Sequence, residues 1–440
     1  MLNRLLFTKI DNAPLIIFRV FFGTLIALES FGAILTGWVK ANLVDPEFNF
    51  SFIGFEWLRP LPGLGMYFYF AIMGALGICI ALGYRYRWSI IGFTLLWTSA
   101  YLMQKTSYNN HYYLLVLISG FMIFFPANRY LSIDAKKRPE IERYAMAGWV
   151  KWTIVLQLFL VYTYAGIAKL YGDWLDFGII GILMHDKVDY PIIGNLLQEP
   201  WAHRIIGTFG ILFDLCIVPA LLWRPTRKIA FMMSLFFHLF NSIVFQIGIF
   251  PYLSLAFTVF FFEPKTIRDL FFKKKPFYDD HEIVIPSYRI ALLTIMILYF
   301  SVQTALPLRH LFIKDNVLWT EEGHRLSWRM MLRSRTGTVQ FKVVNLNNGQ
   351  SETIDLGDYL TTKQQQRIGS YPDFIWQFAQ YLKKRNKEQG KRVSVYAINS
   401  KVSINGKPYR AFIDPKVDLA NERWDPFRHH QWILPSGQFK

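Results

Sequence analysis

The chain carries 53% apolar, 18% aromatic and only 18% charged side chains over 440 residues. A soluble domain has about 25% charged residues, so a string of soluble domains is excluded. Forty Phe, 23 Tyr and 14 Trp exclude a disordered chain, and two Cys exclude a disulfide framework. The formal charge of +17 fits either nucleic-acid binding or basic residues sorted by a membrane, and the apolar runs favour the second.

A helix needs about 20 mostly apolar residues to cross a bilayer core of about 30 Å. Taken in chain order, nine stretches qualify, at roughly 14–36, 66–83, 88–103, 109–126, 149–168, 205–223, 229–247, 249–262 and 289–306. The first is not a cleaved signal peptide, because Arg19 interrupts it and no small-residue cleavage pattern follows Ser30. The eighth is the shortest and follows the seventh through Gly248 with almost no loop, so it reads as a crossing, a re-entrant turn or a steeply tilted segment. The polar loops 127–148 and 169–204 are long for plain connectors. No internal repeat and no low-complexity tract is present.

Nine alternating crossings put 17 basic residues on the N-terminal side and 6 on the other. Basic residues gather on the cytoplasmic side, so this split predicts a cytoplasmic N-terminus and places everything after about residue 307 outside the cytoplasm. From there the chain reads as a soluble α+β module. Val339–Val343 followed by Asn347-Asn348-Gly349 predicts a hairpin, Val402–Ile404 followed by Asn405-Gly406 predicts a second, and Pro372–Arg385 predicts a helix with a basic end. The expected fold is a polytopic α-helical membrane domain of about nine helices over 1–306, joined to an extracytoplasmic module with a small antiparallel sheet over 307–440.

Ionisable or amide side chains at membrane depth are costly and point to function. They are Arg19, Asn109-Asn110-His111 opening the fourth run, Lys169 ending the fifth, Asp214 in the sixth, and His238 with Asn241 in the seventh. The alternation predicts that Asn110, His111, Lys169 and His238 converge beneath the outer module. Lys169 in its apolar setting is either a lysine reaching for the interface or a desolvated amine able to act as a base. His111 and His238 are either interhelical hydrogen-bonding groups or site residues, and Arg19 is a packing or headgroup contact. None of the nine histidines falls in a metal-binding helical spacing and His429-His430 are adjacent, so no metal is expected. Cys79 and Cys216 read as reduced core residues. There is neither a Gly-rich phosphate loop nor a Gly-x-Ser-x-Gly elbow.

Five stretches, in order along the chain, resemble the vitamin K-dependent γ-glutamyl carboxylase family and its bacterial relatives, the horizontally transferred transmembrane domain proteins. They are Lys105–Leu114, Tyr164–Trp174, Phe237–Ser242 with Ile247–Tyr252, Ser327–Arg335 and Phe412–Asp418. The resemblance implies a coupled reaction in which a base deprotonates reduced vitamin K (phylloquinol or menaquinol) and dioxygen adds. The resulting alkoxide removes a γ-hydrogen from a glutamate of a protein or peptide, carbon dioxide is taken up, and the quinone leaves as its epoxide. Such chemistry needs a dry site. By the same resemblance Lys169 is the catalytic base, with His111, Asn110 and His238 as further catalytic groups. Trp319, Ser327, Trp328, Met330, Arg333, Arg335 and Lys416 match the segments that bind substrate and close the site.

The chain departs from the animal enzymes in having Ala168-Lys169 where they carry two lysines, and Arg333 where a histidine is more usual. Their lumenal region also continues beyond the position of Lys440. The expected function is thus a quinol-dependent carboxylase and epoxidase in the membrane, the expected partners being lipid, quinone and a glutamate substrate and not nucleic acid. The alternative is a quinone- or lipid-binding membrane protein that keeps the fold without carboxylase activity. A transporter would need a polar path through the bilayer, whereas Lys169, His111 and Arg335 all lie toward one side.

Overall fold

The computed structural model describes residues 2–437. The apolar runs form helices α1 (Ala13–Leu35), α2 (Gly65–Leu82), α3 (Tyr86–Met103), α4 (Asn110–Phe124), α5 (Gly148–Ala168), α6 (Pro200–Leu222), α7 (Arg227–Phe245) and α8 (Phe250–Phe257). A short amphipathic α9 (Pro264–Phe271) and the long α10 (Arg289–Leu308) follow. Six of these, α1, α2, α5, α6, α7 and α10, are long and apolar enough to cross a membrane. Helix α3 is as long as α2, but Arg87 and its Tyr, Ser and Thr residues lower its hydropathy, and α4 is shorter.

The apolar stretch Phe250–Phe260, at about 1.5 Å per residue, reaches roughly 17 Å against about 30 Å of hydrocarbon. It nevertheless runs along α1 from Glu29, beside Gly248, to Phe18, beside Phe257 and Phe260. Gly248 abuts Glu29 beneath the C-terminal module. On the opposite side the buried Lys275 is paired with Asp11 at 2.6 Å and donates to the Tyr144 carbonyl. That side is tied together by strand β1 (Lys9–Asp11), antiparallel to β2 (Ala145–Ala147). Arg19, fully buried, donates to the carbonyls of Ala127, Tyr130 and Leu131. Loop 127–148 is therefore a folded clasp.

Small residues set the tightest helix crossing. A Cβ on Gly23 would come within 2.3 Å of the Ala81 nitrogen, and one on Gly77 within 2.8 Å of the Ala27 nitrogen. Gly23 and Ala27 on α1, and Gly77 and Ala81 on α2, thus form two facing small-xxx-small rows that let the backbones touch. Cys216 is exposed on α6 and Cys79 is half-buried, which corrects their reading as core residues.

The C-terminal module contains a four-stranded antiparallel sheet in the order β4-β3-β5-β6: β3 (Arg335–Asn345), β4 (Ser351–Ile354), β5 (Val393–Ile404) and β6 (Arg410–Ala411). Both expected hairpins are present, turning at Asn347-Asn348-Gly349 and at Asn405-Gly406. Gly349, Asn405 and Gly406 have positive φ, as tight hairpin turns require. Helices α11 (Thr362–Ile368) and α12 (Pro372–Glu388) cover one face. The module core, built around Phe341, Val395, Phe374 and Phe378, also takes in Phe50 from the loop between α1 and α2, stacked on Phe374 at 4.6 Å. Residues after 307 therefore do not close this core alone.

Candidate functional site

Lys169 caps the C-terminus of α5 and is buried. Gly166, one turn earlier, sets its neighbour: a Cβ there would lie 2.6 Å from Leu215 Cδ2 and 3.3 Å from Asp214 Cβ. Helix α6 can thus lie close to α5, and the Asp214 carboxylate meets the Lys169 ammonium in a buried ion pair. The amine also lies 5.4 Å from the centre of the Trp174 ring. Trp174 belongs to the 169–204 segment, whose short helices Gly172–Leu175 and Gly178–Met184 wall off this region.

Around this pair lies a cavity of about 260 Å³, lined mainly by aromatic and aliphatic side chains such as Trp174, Phe209, Phe237, Phe245 and Phe250. Its polar groups include His111, His238, Tyr162, Asn241, Lys169 and Asp214. His111 stacks on Phe250 at 3.7 Å with the rings 13° apart, and His238 Nε2 lies 3.1 Å from the Tyr162 hydroxyl.

A second cavity of about 700 Å³ opens between the membrane helices and the module, and is strongly cationic. Lys105, Arg325, Arg329, Arg333 and Arg367 line it, against the carboxylates of Glu29 and Glu321. The two cavities share His111, Ile247, Met330 and Met331, which stand between the apolar chamber and this polar vestibule. The loop carrying Met330 holds four non-glycine residues at positive φ, Glu321, Leu326, Trp328 and Met331. Such residues cost about 1–3 kcal/mol each and cluster where function fixes the backbone.

Electrostatics in the vestibule follow from burial and pairing. Asp373, behind its wall, accepts from Lys105 and Arg325 at 2.6 Å each. Burial alone would raise its carboxyl, but Arg325 and Lys105 outweigh it and hold the pKa below the usual value. His324 is driven well below the ordinary histidine range by burial and then by Arg333 and Arg329, so it is neutral. Burial and neighbouring Arg333 push Arg329 down to about 10, which leaves it charged at neutral pH.

Lys169, His111 and His238 line the apolar chamber, and Asn110 lines the vestibule. Asn110 Nδ2 donates to the Arg329 carbonyl at 3.1 Å, and its Oδ1 accepts from Tyr108 at 2.9 Å. Met330 lies between the two cavities and Arg333 in the vestibule, with the Arg333 guanidinium forked on Glu321.

The other sequence-derived substrate residues lie elsewhere. Trp319 is buried in the module core and donates to the Leu434 carbonyl at 2.7 Å. Ser327 donates to the Gly323 carbonyl at 2.7 Å. Trp328 stacks on Tyr113 at 4.9 Å, seating the module on α4. Arg335, expected to reach substrate, instead lies buried over Phe412 and donates to the carbonyls of Leu318 and Ser370. Lys416 is exposed on a turn. None of these five lines either cavity.

Sequence reasoning did not single out Glu29, Glu321, His324, Arg325, Arg329 or Asp373, and gave Asp214 no role. The membrane-depth rule, applied to the lone acid of α1, would have found Glu29. The module residues carried no comparable signal, because charge is ordinary outside the bilayer.

The chain matches the family model of the HTTM domain over residues 7–265 and that of the vitamin K-dependent gamma-carboxylase lumenal domain over residues 288–438. It belongs to the vitamin K-dependent gamma-carboxylase family. No solved structure matches it. The lumenal match begins at the start of α10, so that helix falls within the lumenal model. The apolar helices and the HTTM match together make the chain an integral membrane protein.

Proposed function

We propose that this chain is a quinol-dependent γ-glutamyl carboxylase and epoxidase of a bacterial inner membrane. The observation that carries the reading is a buried amine and carboxylate in an apolar chamber that adjoins a cationic vestibule across four shared lining residues. The chamber suits the two-ring head of a reduced naphthoquinone: its walls are aromatic, its polar groups few, and its volume just below the ~300–1,000 Å³ usual for small-molecule sites. When bound, the quinol supplies through its oxygenation the strong base that glutamate deprotonation requires.

The protein's own residues supply the rest. Lys169 and Asp214 hold one proton between them; with that proton on the Asp214 carboxyl, Lys169 is a free amine and takes the hydroxyl proton, becoming the ammonium. His238 and Tyr162 orient the ring from α7 and α5. His111, Met330 and Met331 keep water from the chamber while leaving a passage for the glutamate side chain. Asn110 steadies the 321–331 loop by its bond to the Arg329 carbonyl. The vestibule receives the glutamate, with carbon dioxide and dioxygen as co-substrates. The charge split favours a cytoplasmic N-terminus and a periplasmic module, and we take 1–306 and 307–440 as the membrane and outer parts.

Glu321 neutralises Arg333 within the protein, and this favours a second reading, a quinone-binding protein without carboxylase activity. Purified protein in lipid discs, given reduced menaquinone or vitamin K and labelled carbon dioxide with or without a glutamate peptide, separates the two. The first predicts epoxide and peptide-dependent label. Quinone binding with no epoxide leaves only the second.

A further inference from the structure

We propose that a groove on the side of the membrane domain that carries the β1–β2 clasp is a site for an anionic phospholipid, with one acyl chain in the groove and the phosphate at Lys228. The inference does not rest on the carboxylase reading. The groove, of about 890 Å³, lies between α1 and α7, with α8 as its floor and α9 across one end. It exists because α8 is recessed. Phe257 and Phe260 are buried against Phe18 of α1, with ring centres 5.0 and 5.1 Å away. Ala256 and Val259 are left as a shallow floor between Phe21 of α1 and Phe231 and Leu235 of α7.

The length of the groove matches one leaflet. Tyr252 and Phe262 both line it, and the chain between them covers roughly 15 Å at about 1.5 Å per residue. That is half of a hydrocarbon core of about 30 Å. Helices α1 and α7 are long and apolar enough to cross a membrane, so the groove opens to lipid. Helix α9 closes its end, with Phe271 edge-on to Phe21 at 5.8 Å. Ile267 is buried there while Leu270 is 68% exposed, which suits a short helix lying in the plane of the headgroups. Lys275, just beyond α9, pairs with Asp11 of β1 and fixes this end on the clasp side.

Charge selects the occupant. Lys228 and Thr266 line the groove. The ion pair of Arg224 with Glu263, at 3.1 Å, joins the approaches to α7 and α9, and Lys228 and Thr266 follow those two residues by one turn each. Both therefore stand at the α9 end. Lys228 is exposed, and among the described residues no carboxylate pairs with it; Lys265, Lys273 and Lys274 in and just after α9 are alike in both respects. Arg268 and Lys275, by contrast, have Asp269 and Asp11. A phosphodiester anion accepts from the ammonium and from the Thr266 hydroxyl, and basic residues at the membrane surface favour anionic headgroups. A quinone tail is as apolar as an acyl chain but brings no charge for Lys228.

The test is native mass spectrometry of the full chain in neutral detergent, titrated with phosphatidylglycerol or with phosphatidylcholine of the same acyl chains. The parent should bind its first phosphatidylglycerol about fivefold or more tightly than phosphatidylcholine, the effect of one lysine at the surface. Lys228→Gln should remove that preference and still bind either lipid. Thr24→Trp, which fills the groove from an exposed position on α1, should weaken both lipids. Arg87→Gln removes an exposed cation outside the groove, next to the Tyr86 held by Asp134 of the clasp, and should leave the preference unchanged. Thermal midpoints at the parent value certify folding, and either groove variant carries the test where the other does not fold. No preference in the parent, a preference that survives Lys228→Gln or is lost equally in Arg87→Gln, or parental binding by a folded Thr24→Trp overturns the site. Displacement of the phosphatidylglycerol by menaquinone overturns it too, by giving the groove to the quinone tail.

Discussion

At the scale of single residues, the Lys169–Asp214 pair matters most. The sequence placed an amine in an apolar helix end; the structure gives it a buried carboxylate across the α5–α6 contact. If the pair acts as one proton-handling unit, Lys169→Ala should cut epoxide formation about 10²–10⁴-fold, the span of general-base catalysis. A small exogenous amine should restore part of the rate, whereas Arg should not, because its guanidinium stays protonated. Groups that act together lose activity non-additively. Lys169→Ala combined with Asp214→Asn should therefore be no slower than Lys169→Ala alone, measured as initial epoxide rate. Multiplicative losses would mean that Asp214 serves another purpose.

At the scale of elements, helix α2 is held against α1 by the absence of side chains. Gly77→Ile would drive a branched side chain into the α1 backbone near Ala27, and overpacking costs about 1–3 kcal/mol or more where the backbone cannot move. Gly120→Ala on α4 meets nothing within 4 Å and should be neutral or raise stability by up to about 1 kcal/mol through helix propensity. Thermal midpoints of both variants in lipid discs check this contrast. Equal effects would show that the small-residue rows do not set the crossing.

On the scale of the whole molecule, the module is fastened to the membrane part by a carboxylate gripped from both bodies. Lys105 belongs to the loop between α3 and α4 and Arg325 to the module, and both bind Asp373. Replacing it by Asn would leave two buried cations without their counter-charge, and breaking such a pair costs about 3–5 kcal/mol. The Asp373 pKa is lowered in the folded protein. Its stabilisation is therefore fully present above the ordinary carboxylate value near 3.8 and is lost as pH falls through the lower folded value. The midpoint gap between parent and Asp373→Asn should stay wide at neutral pH and close only under strong acid. A gap that does not depend on acid would remove the ion pair as the fastening. Topology belongs to this scale too: a reporter joined after Lys440 should be active only outside the cytoplasm, and one inserted within 127–148 only inside. A cytoplasmic C-terminal reporter would reverse the orientation.

Local signals were legible without the fold. Apolar run length locates helices wherever burial in lipid demands it, the alternation of Val339–Val343 before Asn347-Asn348-Gly349 and Val402–Ile404 before Asn405-Gly406 turn hairpins wherever they occur, and isolated polar residues at membrane depth marked Lys169, His111 and His238. These properties depend on neighbours a few positions away, so one chain read in order contains them. Tertiary structure alone decided that Lys169 faces Asp214, that Phe50 completes a core more than 250 residues further on, and that Glu321 pairs with Arg333 and Arg335. The physical reason is that the strength of an ion pair depends on distance and burial. Neither is a property of the sequence spacing between the partners, and so an arginine-rich segment shows that cations are present but not which of them has a counter-charge.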